Sequence, residues 1–299
     1  MTANYTPSDF RIKRGMLPAD AFAYGPEINY PPTDLMDEDI WNSITSLPDD
    51  VSLRTSGDYG STLKLYWKAW EDWICLAIAL QDIANKVSDS PIANCATAGI
   101  DEIQGSIYNV LVGFYRLSFS ALRNMVEQIT IGLALELSGN NKIFVDWLKG
   151  DEELKFGWAS DLLLRNQSIH NMEETLMDSI GDSLFQQKTA SNNGGFARRL
   201  FSELSQFTHG GPEFSNADLW EGSNGPIFVP KSFKRWSVTF SKAYTLCVLE
   251  AKLAKPTITV LGAGSKQTIG NLYRLLLGKI PAKEDGSAVF QTLMDLKMI

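Results

Sequence analysis

Histidine is the scarcest chemistry-bearing residue in this chain. His170 and His209 are the only two in 299 residues. No HExxH helix and no Cys/His cluster is present, so a metal centre of the usual nitrogen and sulfur ligands is not expected. A site built from carboxylates alone stays open. Cysteine is nearly as sparse. Cys75, Cys95 and Cys247 are odd in number and show no CxxC spacing, which argues against a disulfide framework and against a zinc knuckle. Long apolar runs are also missing. Stretches such as Trp73–Leu80 fall far short of the ~20 residues that span a bilayer. The opening MTANYTPSDFRIKRG lacks the apolar core of a signal peptide. The expectation is a cytoplasmic protein with no membrane partner.

Phosphate-binding loops are absent as well. Val260–Leu261–Gly262–Ala263–Gly264–Ser265–Lys266 follows a β-prone stretch, but Gln267 stands where a dinucleotide loop needs its third glycine. His209–Gly210–Gly211 has no GxSxG nucleophile elbow to accompany it. No cofactor is expected. Acid is scarce in one region only. Between Val229 and Lys283 ten basic residues face one acid, Glu250, a net +9 within a chain of net −8, so the remainder carries −17. Lys231, Lys234, Arg235 and Lys242 open that region. Such asymmetry marks either an anionic partner such as RNA or attraction between the two parts of the protein.

What the chain has in abundance is helical periodicity. From Asp101 to Leu137 there is no proline, and Gly105, Gly113 and Gly132 are the only weak spots. One helix over this stretch would run roughly 55 Å. Ile107, Val110, Leu111, Phe114, Leu117, Phe119, Leu122, Val126, Ile129, Leu133 and Leu137 cover most of its circumference, as in a helix buried on most sides. A narrow polar stripe runs through Asn109, Gly113, Arg116, Ser120, Arg123 and Glu127 at spacings of three and four. Arg123 and Glu127 are placed to pair, with Arg116 nearby. That stripe is either a structural ion pair or the lining of a cleft. Further helices are expected near residues 37–47, 62–87, 142–149, 151–164, 167–187, 196–207 and 232–254, with two short ones near 265–277 and 287–297. The fold class is all-α. Residues 1–60 read as an irregular arm, because Pro7, Pro18, Pro26, Pro31, Pro32 and Pro48 break long helices. Residues 61–208 read as a helical bundle around the 101–137 helix, and 209–299 as a basic helical extension packed on it.

One pattern carries chemistry. Arg165–Asn166–Gln167–Ser168–Ile169–His170 places an arginine and a polar residue ahead of a histidine, between two expected helices. It resembles the R-x(4–6)-H signature of the HEPN superfamily, whose helical members include many metal-independent ribonucleases. The resemblance covers roughly residues 61–208. It implies a HEPN-like bundle, catalysis by Arg165, Asn166 and His170, and a homodimer that joins two motifs in one cleft. It also implies a setting in toxin or antiphage-defence systems, where a partner protein is often encoded nearby. The implied chemistry is coherent. A histidine ordinarily titrates near ~6.5 and accepts the proton of a 2′-hydroxyl at neutral pH. A fixed arginine stabilises the charged phosphorane through two hydrogen bonds. Asn166 would orient the phosphate or the histidine. Arg116, Arg123 and Glu127 would line the cleft beneath them, with Lys231, Lys234, Arg235 and Lys242 contacting the nucleic acid. The alternative from the same residues is structural. Arg165 and Asn166 cap the preceding helix, His170 is a surface residue of the next, and the chain is a non-catalytic interaction or scaffold protein.

Overall fold

The computed structural model describes residues 37–84, 90–189, 193–208 and 226–258. Among them are eight helices and no strand, so the protein is all-α. The helices are α1 (Glu38–Ile83), α2 (Pro91–Leu111), α3 (Tyr115–Ser138), α4 (Asn141–Lys149), α5 (Phe156–Leu163), α6 (Gln167–Ile180), α7 (Phe196–Thr208) and α8 (Pro230–Ala254). His209, the loop after it, the Val260–Lys266 turn and the two short C-terminal helices fall outside the described residues.

The chain divides into two compact units, Met1–Asp49 and Asp50–Ile299. Of the first, residues 37–49 are described, and they are helical from Glu38 onward. The short helix expected near residues 37–47 is there; the correction is to residues 48–60, which are helical rather than irregular. Of the prolines that motivated the irregular arm, only Pro48 lies among the described residues, and the helix continues through it. Within the second unit Val51, Thr55, Tyr66, Ala69, Trp73, Ala77 and Leu80 form a buried stripe at helical spacing, so the apolar face begins well before residue 60. The one non-helical backbone inside α1 is at Tyr59.

The expected single helix over 101–137 is two helices. Gly113 takes φ +87°, and its N–H donates to Val110 O at 3.2 Å. The Phe114 N–H reaches back to Asn109 O at 2.7 Å. Together these bonds make a Schellman stop, which needs a left-handed residue and favours glycine. The chain then reverses. Ser106 and Ser118 exchange hydroxyl-to-carbonyl hydrogen bonds at 3.0 and 2.6 Å across α2 and α3. Towards the other end, a Cβ on Gly132 would stand 2.9 Å from Cys95 Sγ, so the small residue sets how closely the two helices approach. Phe114 is therefore not a core residue. It sits at the corner, 40% exposed, and Leu117 beside it is also exposed.

α3 remains the centre of the larger unit. Phe119, Leu122, Val126, Ile129 and Leu133 are fully buried, and α2, α5, α7 and α8 all pack on this helix. α8 brings Phe233, Trp236, Phe240, Tyr244 and Cys247 to the same core. Two of its buried donors find partners on other helices. Trp236 Nε1 donates to Ser106 Oγ at 3.0 Å, and Tyr244 Oη donates to Ala69 O at 2.9 Å. Buried donors satisfied in this way fix the register of one helix against the next.

Candidate functional site

The Arg165–His170 stretch forms the corner between α5 and α6. α5 ends as the Arg165 N–H bonds to Leu162 O at 3.1 Å. Asn166 then caps α6. Its side-chain oxygen accepts from Ser168 N at 3.0 Å and Ile169 N at 3.3 Å, satisfying two amides that a helix start leaves open. The cap thus belongs to the helix that follows. His170 lies in the first turn of α6 with its side chain 54% exposed, and Nε2 is 3.3 Å from Glu174 Oε1. Arg165 is exposed. With Asn166 it lines a pocket of about 200 Å³ whose opposite wall is Ala134, Leu137 and Ser138 at the end of α3. Ile169 and Met172 anchor α6 in the core, so its polar face points outward.

Arg165 also acts on α5, the helix it follows. Partial burial pushes the Asp161 carboxyl up. Hydrogen bonds from Gln187 and Arg198, with the positive charges of Arg198 and Arg165, outweigh that and hold it below the usual carboxylate range. Arg198 reaches Asp161 at 2.5 Å and Phe185 O at 2.6 Å, which ties α5, the 183–187 segment and α7 together.

The polar stripe does not meet this corner. Asn109 is on α2, where it donates to Gly105 O at 2.8 Å, and Gly113 is the turn. The rest of the stripe lies on α3 and docks other elements. Arg116 donates to Phe207 O at 3.0 Å and Thr208 O at 3.2 Å, closing the C-terminal carbonyls of α7. Arg123 pairs with Glu127 at 3.0 Å and stacks over Phe201 at 4.8 Å. Glu127 accepts from Phe156 N at 3.3 Å, at the start of α5. None of the three lines the pocket beside Arg165.

The basic residues divide similarly. Arg235 lies 4.0 Å from Glu203 and stacks over Phe207 at 4.8 Å, so it joins α8 to α7. Lys255 pairs with Glu136 at 2.5 Å. Lys231 and Lys234 are exposed, and Lys242 is half-buried. Lys266, Arg274, Lys279 and Lys283 are outside the described residues. Part of the charge asymmetry is thus attraction within the fold.

Two features were not anticipated. Glu173 is buried on α6, and its carboxylate accepts from Leu184 N at 3.0 Å and Phe185 N at 2.7 Å. Burial raises its pKa, and the backbone donors lower it without cancelling the rise. Glu173→Ala would leave both buried amides unpaired, at about 1–3 kcal/mol each, so denaturant unfolding should show a loss of about 3 kcal/mol. A loss below about 1 kcal/mol would mean that water takes over the carboxylate's role. The second feature is an open groove of about 550 Å³ between α1 and α2, walled by Leu63, Trp67, Ile107, Tyr108 and Leu111, with Lys64, Asp101 and Gln104 at its rim. Tyr108 is 61% and Trp67 42% exposed. In sequence, Trp67 blends with Trp70 and Trp73, which face the core; only the packing separates it from them.

Among the described residues no helix is long and apolar enough to cross a membrane, and no three His, Cys, Asp or Glu side chains are grouped to hold a metal ion. Comparison with protein-family models, with curated proteins and with solved structures finds no match.

Proposed function

We propose that the protein binds and cleaves RNA at the Arg165–Asn166–His170 corner, in the manner of the HEPN-like ribonucleases its motif resembles. The observation that carries this reading is that Arg165 and His170 are both exposed where one helix begins, outside the buried core. Asn166 gives the corner a fixed backbone by capping α6. His170 is the base that takes the 2′-hydroxyl proton, and Arg165 is the cation for the phosphate. Two copies would bring two such corners to one substrate. Lys234, exposed on α8, is the cation assigned to backbone contacts.

The test is cleavage of single-stranded RNA by the purified protein, with and without EDTA. Products ending in a 2′,3′-cyclic phosphate, formed at the same rate in EDTA, are expected, because the neighbouring hydroxyl is the nucleophile. Products with a 3′-hydroxyl, or cleavage that EDTA stops, contradict the assignment.

The groove between α1 and α2 favours a second reading, a helical interaction protein. Two large exposed aromatics beside apolar walls are the composition of a protein-binding patch. Under the first reading, replacing Trp67 and Tyr108 by alanine leaves RNA cleavage unchanged. Under the second, no form of the protein cleaves RNA and these two residues govern association.

A further inference from the structure

Glu250, in the interior of α8, is fully buried. Its Oε1 lies 2.9 Å from Thr130 Oγ1 on α3, and its Oε2 is buried with no hydrogen-bond partner. The Thr130 hydroxyl has one hydrogen and is also 2.8 Å from Val126 O, one turn back on its own helix. That hydrogen is shared between two acceptors and reaches only Oε1 of the carboxyl. Oε2 is left buried without a donor, and a buried carboxyl in that state is held neutral.

The surroundings agree. From α3 the facing group is Thr130, and the carboxylates on either side of it along that helix, Glu127 and Glu136, are bound to Arg123 and Lys255. α2 contributes Cys95, a buried thiol that feels Glu136. α7 contributes Glu203, which faces Arg235 near the other end of α8. α1 contributes Asp72 and Cys75, which act on Tyr244. On α8 itself the neighbour is Cys247, also buried, whose thiol feels Glu250. Among the described residues no cation faces this carboxyl.

We propose that Glu250 is a proton-held latch: α3 and α8 seat against each other with its carboxyl neutral, and the seam opens with release of that proton. Burial pushes the carboxyl up to about 8 from an ordinary 4.5, with the Thr130 contact opposing. The stability it confers is therefore complete below about pH 4.5 and falls as pH rises towards about 8, where it levels off. Over that window the opened state carries the carboxylate and the seated state the acid, so opening becomes easier by about tenfold per pH unit.

Cys247 reports the opening, because it is buried on the same helix three residues away and reacts only when the seam parts. The experiment is alkylation of the full-length protein between pH 6 and pH 9, read by mass spectrometry on the Cys247 peptide, for wild type and Glu250→Gln. The ratio of the two rates cancels the thiol's own pH dependence. It should rise about tenfold per unit up to about pH 8 and then flatten. A ratio that does not change with pH overturns the latch. Should Glu250→Gln fail to fold, wild type alone decides through its infrared spectrum. A buried carboxylic-acid carbonyl band that fades as pH rises, in step with Cys247 labelling, upholds the latch. Labelling that rises while the band stays constant overturns it.

Discussion

Gly113→Ala is expected to lower stability by about 3–5 kcal/mol, combining backbone strain with overpacking against main chain. At φ +87° an alanine is strained whatever the space around it. The space is also filled. An added Cβ would lie 2.5 Å from Ile227 O and 2.6 Å from Ile227 N. These are backbone atoms, so no rotamer change relieves the overlap. Moving them aside pulls on Val229, whose N–H donates to Tyr115 Oη at 3.0 Å and which caps α8. Three features therefore fail together: the stop of α2, the reversal into α3 and the entry to α8. Gly105→Ala is the control. It lies in the interior of α2 with nothing within 4 Å of the added atom, and should gain about 0.5–1 kcal/mol by helix propensity. Urea unfolding of the two variants measures both. A loss below about 1 kcal/mol for Gly113→Ala would mean that the corner tolerates an ordinary residue.

That same corner is where sequence and structure part. The apolar spacing of Phe119, Leu122, Val126, Ile129 and Leu133 was sufficient to identify a buried helix, and the α8 face from Phe233 to Cys247 was equally plain. A glycine within an apolar run reads as a weak spot in a helix. That Gly113 is a stop follows from its left-handed backbone and from Ile227 packing on it, a contact from far along the chain. The arginine stripe fails for a related reason. Charges spaced along one helix face do not reveal what they meet, and here Arg116 and Arg123 meet the end of α7. Asn166 was legible as a capping residue, though on the far side of the turn, because Asn before a helical run satisfies amides that follow it. The run of α1 through residues 48–60 was hidden by Pro48, although Val51 and Thr55 are buried on its inner face. The Glu250 contact with Thr130 had no local signal, since its partner lies on another helix.

The largest functional effect is expected at His170. If it is the base and Arg165 the phosphate clamp, His170→Ala and Arg165→Ala should each reduce RNA cleavage by at least about a hundredfold, the usual contribution of a positioned acid–base group. Both side chains are exposed, and His170 Nε2 lies against the exposed Glu174 carboxylate. Removing either should therefore change stability by no more than about 0.5 kcal/mol. His170→Gln, which keeps a polar side chain but cannot serve as a base, should behave like the alanine variant. The most direct measurement compares wild type and His170→Ala, both shown to be folded, for cleavage of one single-stranded RNA. Rapid cleavage by wild type, with at least about a hundredfold less by His170→Ala at unchanged stability, is the predicted result. Equal cleavage by the two, or none by wild type, would contradict it.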